Sequence, residues 1–512
     1  MKKVIIIGGG LSGLSAGIYA LKNGFKATII EKNDEVGGLC TTWYKDGIMI
    51  DGCVHWITGS SRGNMLPIYK EVGMLEDVKI FKPPFFYKFY YKDIEIEVSR
   101  DVNILKDQLF KFANDQVDKN NLNLFFKLLR RFKNIPFHTG KPVSCLKKTE
   151  VVGYIRYIAP MALAWNKTIN MSILDFANLF NSDILKNFFL SFMPSYYSLT
   201  YFVGIISQFV TDNADTIYVR SLDLSLNIKK KFLELGGKII LNEEITKLNI
   251  ENNKLLSIES NDNKFEADYY INASPLPYFY DKLLDKEYHD KYVDYIFDDI
   301  ENYPLISTVY ISMKIDKEYK ENIDHFNLIY DEEGIRVGSS INNTLHYRAY
   351  PYLKNDDGST TLICLIDLHI KDYDVFKEKE NNGTYYQYKE ELGNKVMDIY
   401  INKFPNVKKH ISLIDVATPL SFERKTYTYK GAYLSSLATP FGERKSFNIK
   451  DKYINNLYHA GQWITQIGGI PRSLSNGKFA IDELLHQIEL AKRIKKQKKQ
   501  NNSKKINLYK EW

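Results

Sequence analysis

Three glycines at Gly8, Gly10 and Gly13, with an acid at Glu31, are the residues whose types and spacing point most directly to chemistry. The first glycine permits a tight turn, the second lets a pyrophosphate approach bare backbone, and the third lets a helix close onto a strand. Leu11 and Ser12 stand where that helix begins, so unpaired amides and the positive helix end face an anion there. Glu31 is placed to accept hydrogen bonds from both hydroxyls of an adenosine ribose, and its charge repels a 2′-phosphate. The surrounding elements come in the required order: an apolar strand at 4–7, an amphipathic helix, a β-branched strand at 27–30, then the acid. The segment reads as a dinucleotide site.

A second glycine pair, Gly37-Gly38, lets the chain pass close beside a bound ring system. Residues 44–51 read as a hairpin turning at Asp46-Gly47, and Asp51-Gly52 as a turn that offers backbone amides to a ligand. His55 comes just after that turn. An imidazole there suits a base or a hydrogen-bond partner of the ring system; packing against Trp56 is an alternative of equal weight. Near the C-terminus, Gly468, Gly469, Ile470 and Pro471 open another helix. A helix start in that place aims its positive end at the pyrimidine edge of a flavin, where the reduced ring gathers negative charge. One dinucleotide motif at the beginning, one glycine-rich helix start at the end and no second GxGxxG favour FAD over a nicotinamide coenzyme with its own domain. Electrons then leave to dioxygen or a quinone, or arrive from NAD(P)H bound transiently; both directions stay open.

The chain has 512 residues, 44% hydrophobic and 26% charged, the balance of a large globular protein of several domains. Its net charge of +7 is concentrated at one end: residues 492–512 carry nine Lys/Arg against one acid, Glu511. The body is therefore near neutral and shows no basic, aromatic-interleaved surface for nucleic acid. The tail reads as a solvated terminus. Its alternative, contact with anionic lipid, leaves peripheral attachment at the inner face of a membrane open for an otherwise cytoplasmic protein. Cys40, Cys53, Cys145 and Cys364 form no CxxC and no metal-like cluster, so no metal is expected and the thiols read as reduced and buried. The apolar run at 4–7 is too short for a secretory signal. Residues 187–211 carry no charge, yet Pro194 and scattered Ser, Thr and Gln favour two broken helices over a membrane span.

Periodicity divides the chain as follows. Residues 1–75, 213–275 and 413–491 read as three segments of one α/β domain, the last opening with an α/β stretch near Asp415. Residues 76–212 are largely helical after a hairpin at 85–98. Residues 276–412 hold strands of a mixed sheet at 308–314 and 361–370, then helix from 375 to 403. A final helix runs from about Arg472 to Arg493, and 492–512 are the basic tail.

In this order the motifs resemble the phytoene desaturase and carotenoid isomerase branch of the FAD-dependent, amine-oxidase-like flavoproteins. They are GGGLSGLSAGIYALKNGFKATIIEKNDEVGGLCTT, LDLSLNIKKKFLELGGKIILNEEITKL ending in YYINASP, ATPLSFERKTYTYKGAYLSSLATP, and NLYHAGQWITQIGGIPRSLSNGKFAIDELL. The resemblance implies a Rossmann-like FAD-binding domain of the glutathione-reductase type 2 kind, interleaved with a mixed-sheet and helical substrate domain. It also implies further FAD contacts at Lys32, Leu39, Thr41, Ile245, Ala273, Ser274, Gly461 and Gln462. The implied activity is hydride transfer at flavin N5 to or from C–C and C=C bonds of a hydrophobic polyene- or lipid-like substrate, by desaturation, saturation or isomerisation. A flavin amine oxidase, or a lipid carrier on the same scaffold like the Rab escort proteins, are the alternatives. The family's usual Asp after Gly461 is replaced by Gln462-Trp463. Arg472 reads either as a partner of the anionic reduced ring or as a solvent-facing charge; Arg348 and Arg444 read as surface charges, with polar contacts the alternative.

Overall fold

The computed structural model describes residues 1–135, 140–436, 438–443, 447–466 and 468–508. Arg444 lies outside the described residues. Five strands form a parallel sheet in the order Lys238–Ile240, Lys26–Ile30, Lys3–Ile7, Tyr269–Asn272 and Leu457–His459. A parallel sheet must be covered on both faces, and the composition meets that need: Val4, Ile6, Ile29 and Ile271 are buried on one face and Ile5, Ile7, Ile30 and Tyr270 on the other.

Helices close onto this sheet where glycine removes a side chain. A Cβ on Gly13, in the helix Leu11–Lys22, would meet the Gly8 carbonyl oxygen at 2.0 Å. One on Gly17 would meet the Phe232 ring of helix Ser221–Glu234 at 2.6 Å. One on Gly477, in the C-terminal helix Ile470–Leu508, would meet the Ser12 carbonyl oxygen at 2.3 Å. In the same contact Ser15 Oγ donates to the Leu474 carbonyl at 2.8 Å. The first and last helices of the fold therefore pack directly together.

A seven-stranded sheet runs Ile411–Ala417, Ile306–Ile315, Thr360–His369, Ser340–Ala349, Phe326–Val337, Phe85–Tyr91 and Ile94–Ser99. Its pairings are antiparallel except the parallel one between Phe326–Val337 and Phe85–Tyr91. Helices Tyr373–Asn381 and Tyr385–Lys403 cover one face, where Phe376, Leu392 and Val396 share a core with Val309, Ile311 and Leu345. On the other face the alternation of the strands brings Ile306, Thr308, His346, Arg348, Leu365 and Asp367 to the wall of a cavity. Helices Gln116–Phe132, Lys148–Ile169, Asp183–Leu190 and Leu199–Phe209 build an aromatic lobe beside it. Phe189 meets Phe125 and Phe176 edge to face there, at centroid distances of 5.1 and 5.0 Å.

One loop holds these bodies in register. Strands Thr42–Lys45 and Ile48–Asp51 form a hairpin, and the buried Asp51 carboxylate accepts from Thr42 Oγ1, Ser221 N and Ser221 Oγ, each at 2.7 Å. Burial pushes this carboxyl up to about 6, against the downward pull of those hydrogen bonds. Tyr310 OH, on the seven-stranded sheet, donates to the Asp51 carbonyl at 2.7 Å. Residues 52–56 leave from this anchored point.

Some elements differ from the sequence reading, for local reasons. The strand Ile411–Ala417 belongs to the seven-stranded mixed sheet and does not open an α/β stretch; it pairs antiparallel with Ile306–Ile315 through a register shift. The C-terminal helix continues past Arg493 to Leu508, since Lys, Arg and Gln are good helix formers and no Gly or Pro follows Gly477 within it. The hairpin of Phe326–Val337 and Ser340–Ala349 escapes the sequence pattern because Asp331-Glu332-Glu333-Gly334 interrupts the alternation, where the register shifts between Tyr330 and Ile335. Residues 187–211 do divide between two helices, and among the described residues no helix is long and apolar enough to cross a membrane.

Candidate active site

A cavity of about 560 Å³ runs between the two sheets, within the range of cofactor and small-molecule sites. At one end lie Gly8, Gly10, Ser12, Glu31 and the pair Gly37-Gly38. The three motif glycines do different work. Gly8 takes φ +102°, and a Cβ there would stand 3.1 Å from the Ala273 backbone, whereas Gly13 is pressed onto Gly8 itself. Gly10 sits at φ −67° with its nearest neighbour, the Gly37 carbonyl, 4.0 Å from where a Cβ would stand, so the space beside it belongs to the cavity. Ser12 Oγ, buried in the first turn of the helix, has no hydrogen-bond partner. A helix start with free amides, no side-chain cap and an orphaned hydroxyl fits a phosphate oxygen. The Glu31 carboxylate is fixed by Gly9 N at 2.7 Å on one oxygen and by Asn33 N and Nδ2 at 3.0 and 2.7 Å on the other. Lys32 lies over the Tyr427 ring, 3.6 Å from its centroid.

The C-terminal loop closes the same cavity. Gly461 takes φ +112° at the end of the last parallel strand, and its carbonyl accepts from Asn476 Nδ2 at 2.8 Å. Gln462 staples the loop: its Oε1 accepts from Gly469 N at 3.0 Å and its Nε2 donates to the Tyr433 carbonyl at 3.1 Å. The side chain that replaces the expected Asp thus holds the turn into the helix.

The cavity brings together Leu11, Lys32, Leu39, His55, Ile245, Ala273, Ser274, Gly461, Gln462, Gly469, Ile470 and Pro471 with the motif residues. Gly13 and Thr41 are not in its wall. Gly13 serves helix-to-strand packing, and Thr41 contributes its carbonyl, which accepts from Gly52 N at 3.0 Å. Cys40 and Cys53 both reach the wall, and contact with Cys40 and burial push the Cys53 thiol up. The described residues hold no group of His, Cys, Asp and Glu able to bind a metal ion.

The family described as flavin containing amine oxidoreductase matches residues 11–485. The chain belongs to that family. The flavoenzyme is 22% identical to a 4,4′-diaponeurosporene oxygenase of Staphylococcus haemolyticus, over 94% of this chain and 97% of the relative. It is also 22% identical to a 1-hydroxycarotenoid 3,4-desaturase of a Flavobacterium species, over 94% and 99%. Among solved structures, a wild-type putrescine oxidase bound to putrescine superposes with a TM-score of 0.57 at 14% identity, covering 95% of this chain and 99% of that one. An oxidoreductase from Methanosarcina mazei gives 0.58 at 16%, covering 92% and 99%. These two share the fold. The flavoenzyme is an FAD-dependent oxidoreductase.

The far half of the cavity is walled by Trp165, Phe192, Tyr201, Ile205 and Leu365, with a few polar groups among them. His55 projects from the Asp51 loop, 6.3 Å from the Trp56 centroid and tilted 37° to it, and its Nδ1 has no partner. Burial, and then the neighbouring Arg348 and His346, hold its basicity well below the ordinary histidine range, so the imidazole is neutral. His346 donates from Nε2 to the Ser191 carbonyl at 2.8 Å and is pushed down to about 4 by burial. Asp367 accepts from Tyr433 OH at 3.2 Å, and burial pushes its carboxyl up to about 6.

Two arginines complete the wall. Arg472 is half-buried at the start of the C-terminal helix, and burial lowers its basicity. Arg348 is not a surface charge: it is 6% exposed, and Phe326 covers it with the guanidinium carbon 3.4 Å from the ring centroid. The alternation in His346-Tyr347-Arg348-Ala349-Tyr350 carries the signal, but reading it requires knowing that the even-numbered face looks inward.

The two glycines of the turn separate cofactor fit from folding. Gly10→Val is expected to keep the thermal midpoint of the apoprotein within a few degrees and to abolish the bound flavin spectrum, because its backbone tolerates a side chain and its space does not. Gly13→Val is expected to lose soluble folded protein altogether, at a cost of about 3 kcal/mol or more from overpacking. Circular-dichroism melting and flavin absorbance of the two variants check both outcomes.

Proposed function

We propose that this flavoenzyme acts on C–C or C=C bonds of a long apolar polyene, by desaturation, saturation or isomerisation. The observation that carries the reading is the cavity's far half. Its walls are aromatic and aliphatic, and of the charged side chains among them two, Arg348 and Arg472, are cations without an ion-pair partner among the described residues, against the one carboxyl of Asp367. Such walls exclude water from an extended hydrocarbon and offer it dispersion contacts along its length. An ammonium substrate would meet two cations against the single carboxyl of Asp367 in a low-dielectric site, a balance that disfavours the amine-oxidase alternative. FAD, when bound, supplies hydride exchange at N5. Of the chain's own residues, His55 lines the cavity, is neutral and has a ring nitrogen without a partner, which suits a proton acceptor or a hydrogen bond to the reacting system. Arg472 at the helix start suits the negative charge of a reduced ring. Glu31, the glycine turns and the Gln462-stapled loop form the binding groups, with Gly8, Gly10, Leu11, Ser12, Gly37, Gly38 and Ile470 as the contacts.

The helix Lys148–Ile169 supports a reading in which substrate enters from a lipid surface. Its Trp165 lines the cavity, while Val152, Ile155 and Leu163 are exposed, Leu163 by 88%. Val143, 73% exposed, stands beside them in a turn that is tied to the C-terminal helix by Ser144 to Glu483. That helix runs on into the basic segment beginning at Lys492. Apolar side chains flanked by a run of cations suit the face of a membrane rich in anionic lipid.

Anaerobic mixing of the holoenzyme with detergent-dispersed carotenoid hydrocarbons is expected to bleach the flavin band, or to convert a cis polyene to trans with no net bleaching. Putrescine and spermidine should leave the band unchanged; bleaching by amines alone would overturn the reading. His55→Ala is expected to retain flavin and slow the polyene reaction by about a hundred-fold or more. In gradient flotation with phosphatidylserine-containing vesicles the wild-type chain should rise with the lipid, and a double variant Ile155→Glu, Leu163→Glu should stay at the bottom.

A further inference from the structure

The Arg348 guanidinium is enclosed, charged and without a counter-ion. It makes no hydrogen bond and no ion pair with any described residue. Its contacts are aromatic: Phe326 at 3.4 Å and Trp56 at 5.2 Å from the guanidinium carbon to each ring centroid. Burial pushes it down to about 10, which still leaves it charged at neutral pH. The groups around it are neutral there: His55, His346 and His325 are all held below the ordinary histidine range, and Tyr310, Tyr350 and Tyr352 are raised. The carboxyl nearest in the wall, Asp367, does not reach it. Arg348 pairs across the sheet with Ile363, and Asp367 stands four residues farther along that strand, about 13 Å away at ~3.3 Å per residue. The Arg348 side chain lines the cavity.

A buried arginine with no partner is costly, because its five donors lose water and gain nothing. The cavity space in front of it is where a partner would stand, and the flat fork of a guanidinium matches the two oxygens of a carboxylate. We propose that Arg348 is a specificity-determining residue that binds a carboxylate at one end of the substrate, so that the preferred ligand is an apolar chain with an anionic terminus. Phe326 and Trp56 hold the guanidinium plane fixed, which lowers the entropy lost on binding. The inference rests on the apolar-substrate reading above and adds to it the chemistry of one end.

The test compares two polyenes of equal length, all-trans-retinoic acid and all-trans-retinol, binding to flavin-loaded enzyme at pH 7.5. Quenching of Trp56 and Trp165, both in the cavity wall, reports occupancy. Wild-type enzyme is expected to bind the acid about ten-fold or more tighter than the alcohol, the size of a charge-assisted hydrogen bond. Arg348→Gln should reverse that order, since the alcohol is the more hydrophobic of the two, and Arg348→Lys should restore part of it. Flavin content and melting temperature report the integrity of each variant. Equal affinities in the wild type would overturn the inference without recourse to any variant. So would an unchanged acid preference in Arg348→Gln with a shifted flavin reduction potential, which would assign the cation to the cofactor. Binding of neither polyene would overturn both this inference and the reading beneath it.

Discussion

Ser15 Oγ donates to the Leu474 carbonyl across a sequence separation of 459 residues, inside a helix crossing that Gly477 brings to within van der Waals contact of the Ser12 backbone. The site depends on this closeness. The turn at Gly8–Ser12 can hold a phosphate by itself, but a pocket for a whole dinucleotide needs the loop at residues 461–471 on its other side. Those two loops face one cavity because the helices that follow them, Leu11–Lys22 and Ile470–Leu508, pack with no side chain between them at Gly477. Burial of the helix pair against Val4, Ile6 and Ile271 then fixes the loops relative to the sheet.

Asp51 plays the corresponding part between the two sheets. Its carboxylate is satisfied by Thr42 and Ser221, on the parallel-sheet side, and its carbonyl by Tyr310, on the seven-stranded side. A buried carboxylate with three donors is stable only while all three stay in place, so the junction is rigid in a way that apolar packing alone would not enforce. His55 inherits that rigidity. The imidazole is presented to the cavity from a backbone anchored four residues earlier, and its low basicity follows from the same enclosure.

What the sequence reveals and what it hides divide along a physical line. Gly8, Gly10, Gly13 and Glu31 are legible because their roles are local: turn, approach and helix start are set within thirty residues, and the chemistry follows from residue type. Gln462 is legible as a departure but not as a staple, since Gly469 and Tyr433 are joined to it only by the folded loop. Thr41 shows why adjacency misleads. It stands next to the glycine pair in sequence, yet its carbonyl is engaged with Gly52 and its side chain is not in the cavity wall. Arg348 is the opposite case. A charged residue in a tyrosine-rich run reads as solvent-facing. Its burial is decided by Phe326 on the neighbouring strand and by the parallel pairing of that strand with Phe85–Tyr91, two contacts that no local pattern encodes.

The parallel sheet also carries a consequence for how the chain is made. Its fifth strand pairs Asn272 with His459, 187 residues apart. At about 5–20 residues per second a ribosome needs roughly 10–40 s to produce that interval, during which the edge of Tyr269–Asn272 has no neighbour and the first helix lacks its cover. The nascent flavoenzyme must therefore spend that time with its nucleotide half incomplete and its apolar surfaces open. Demand for chaperone protection during synthesis is built into the order in which its strands appear.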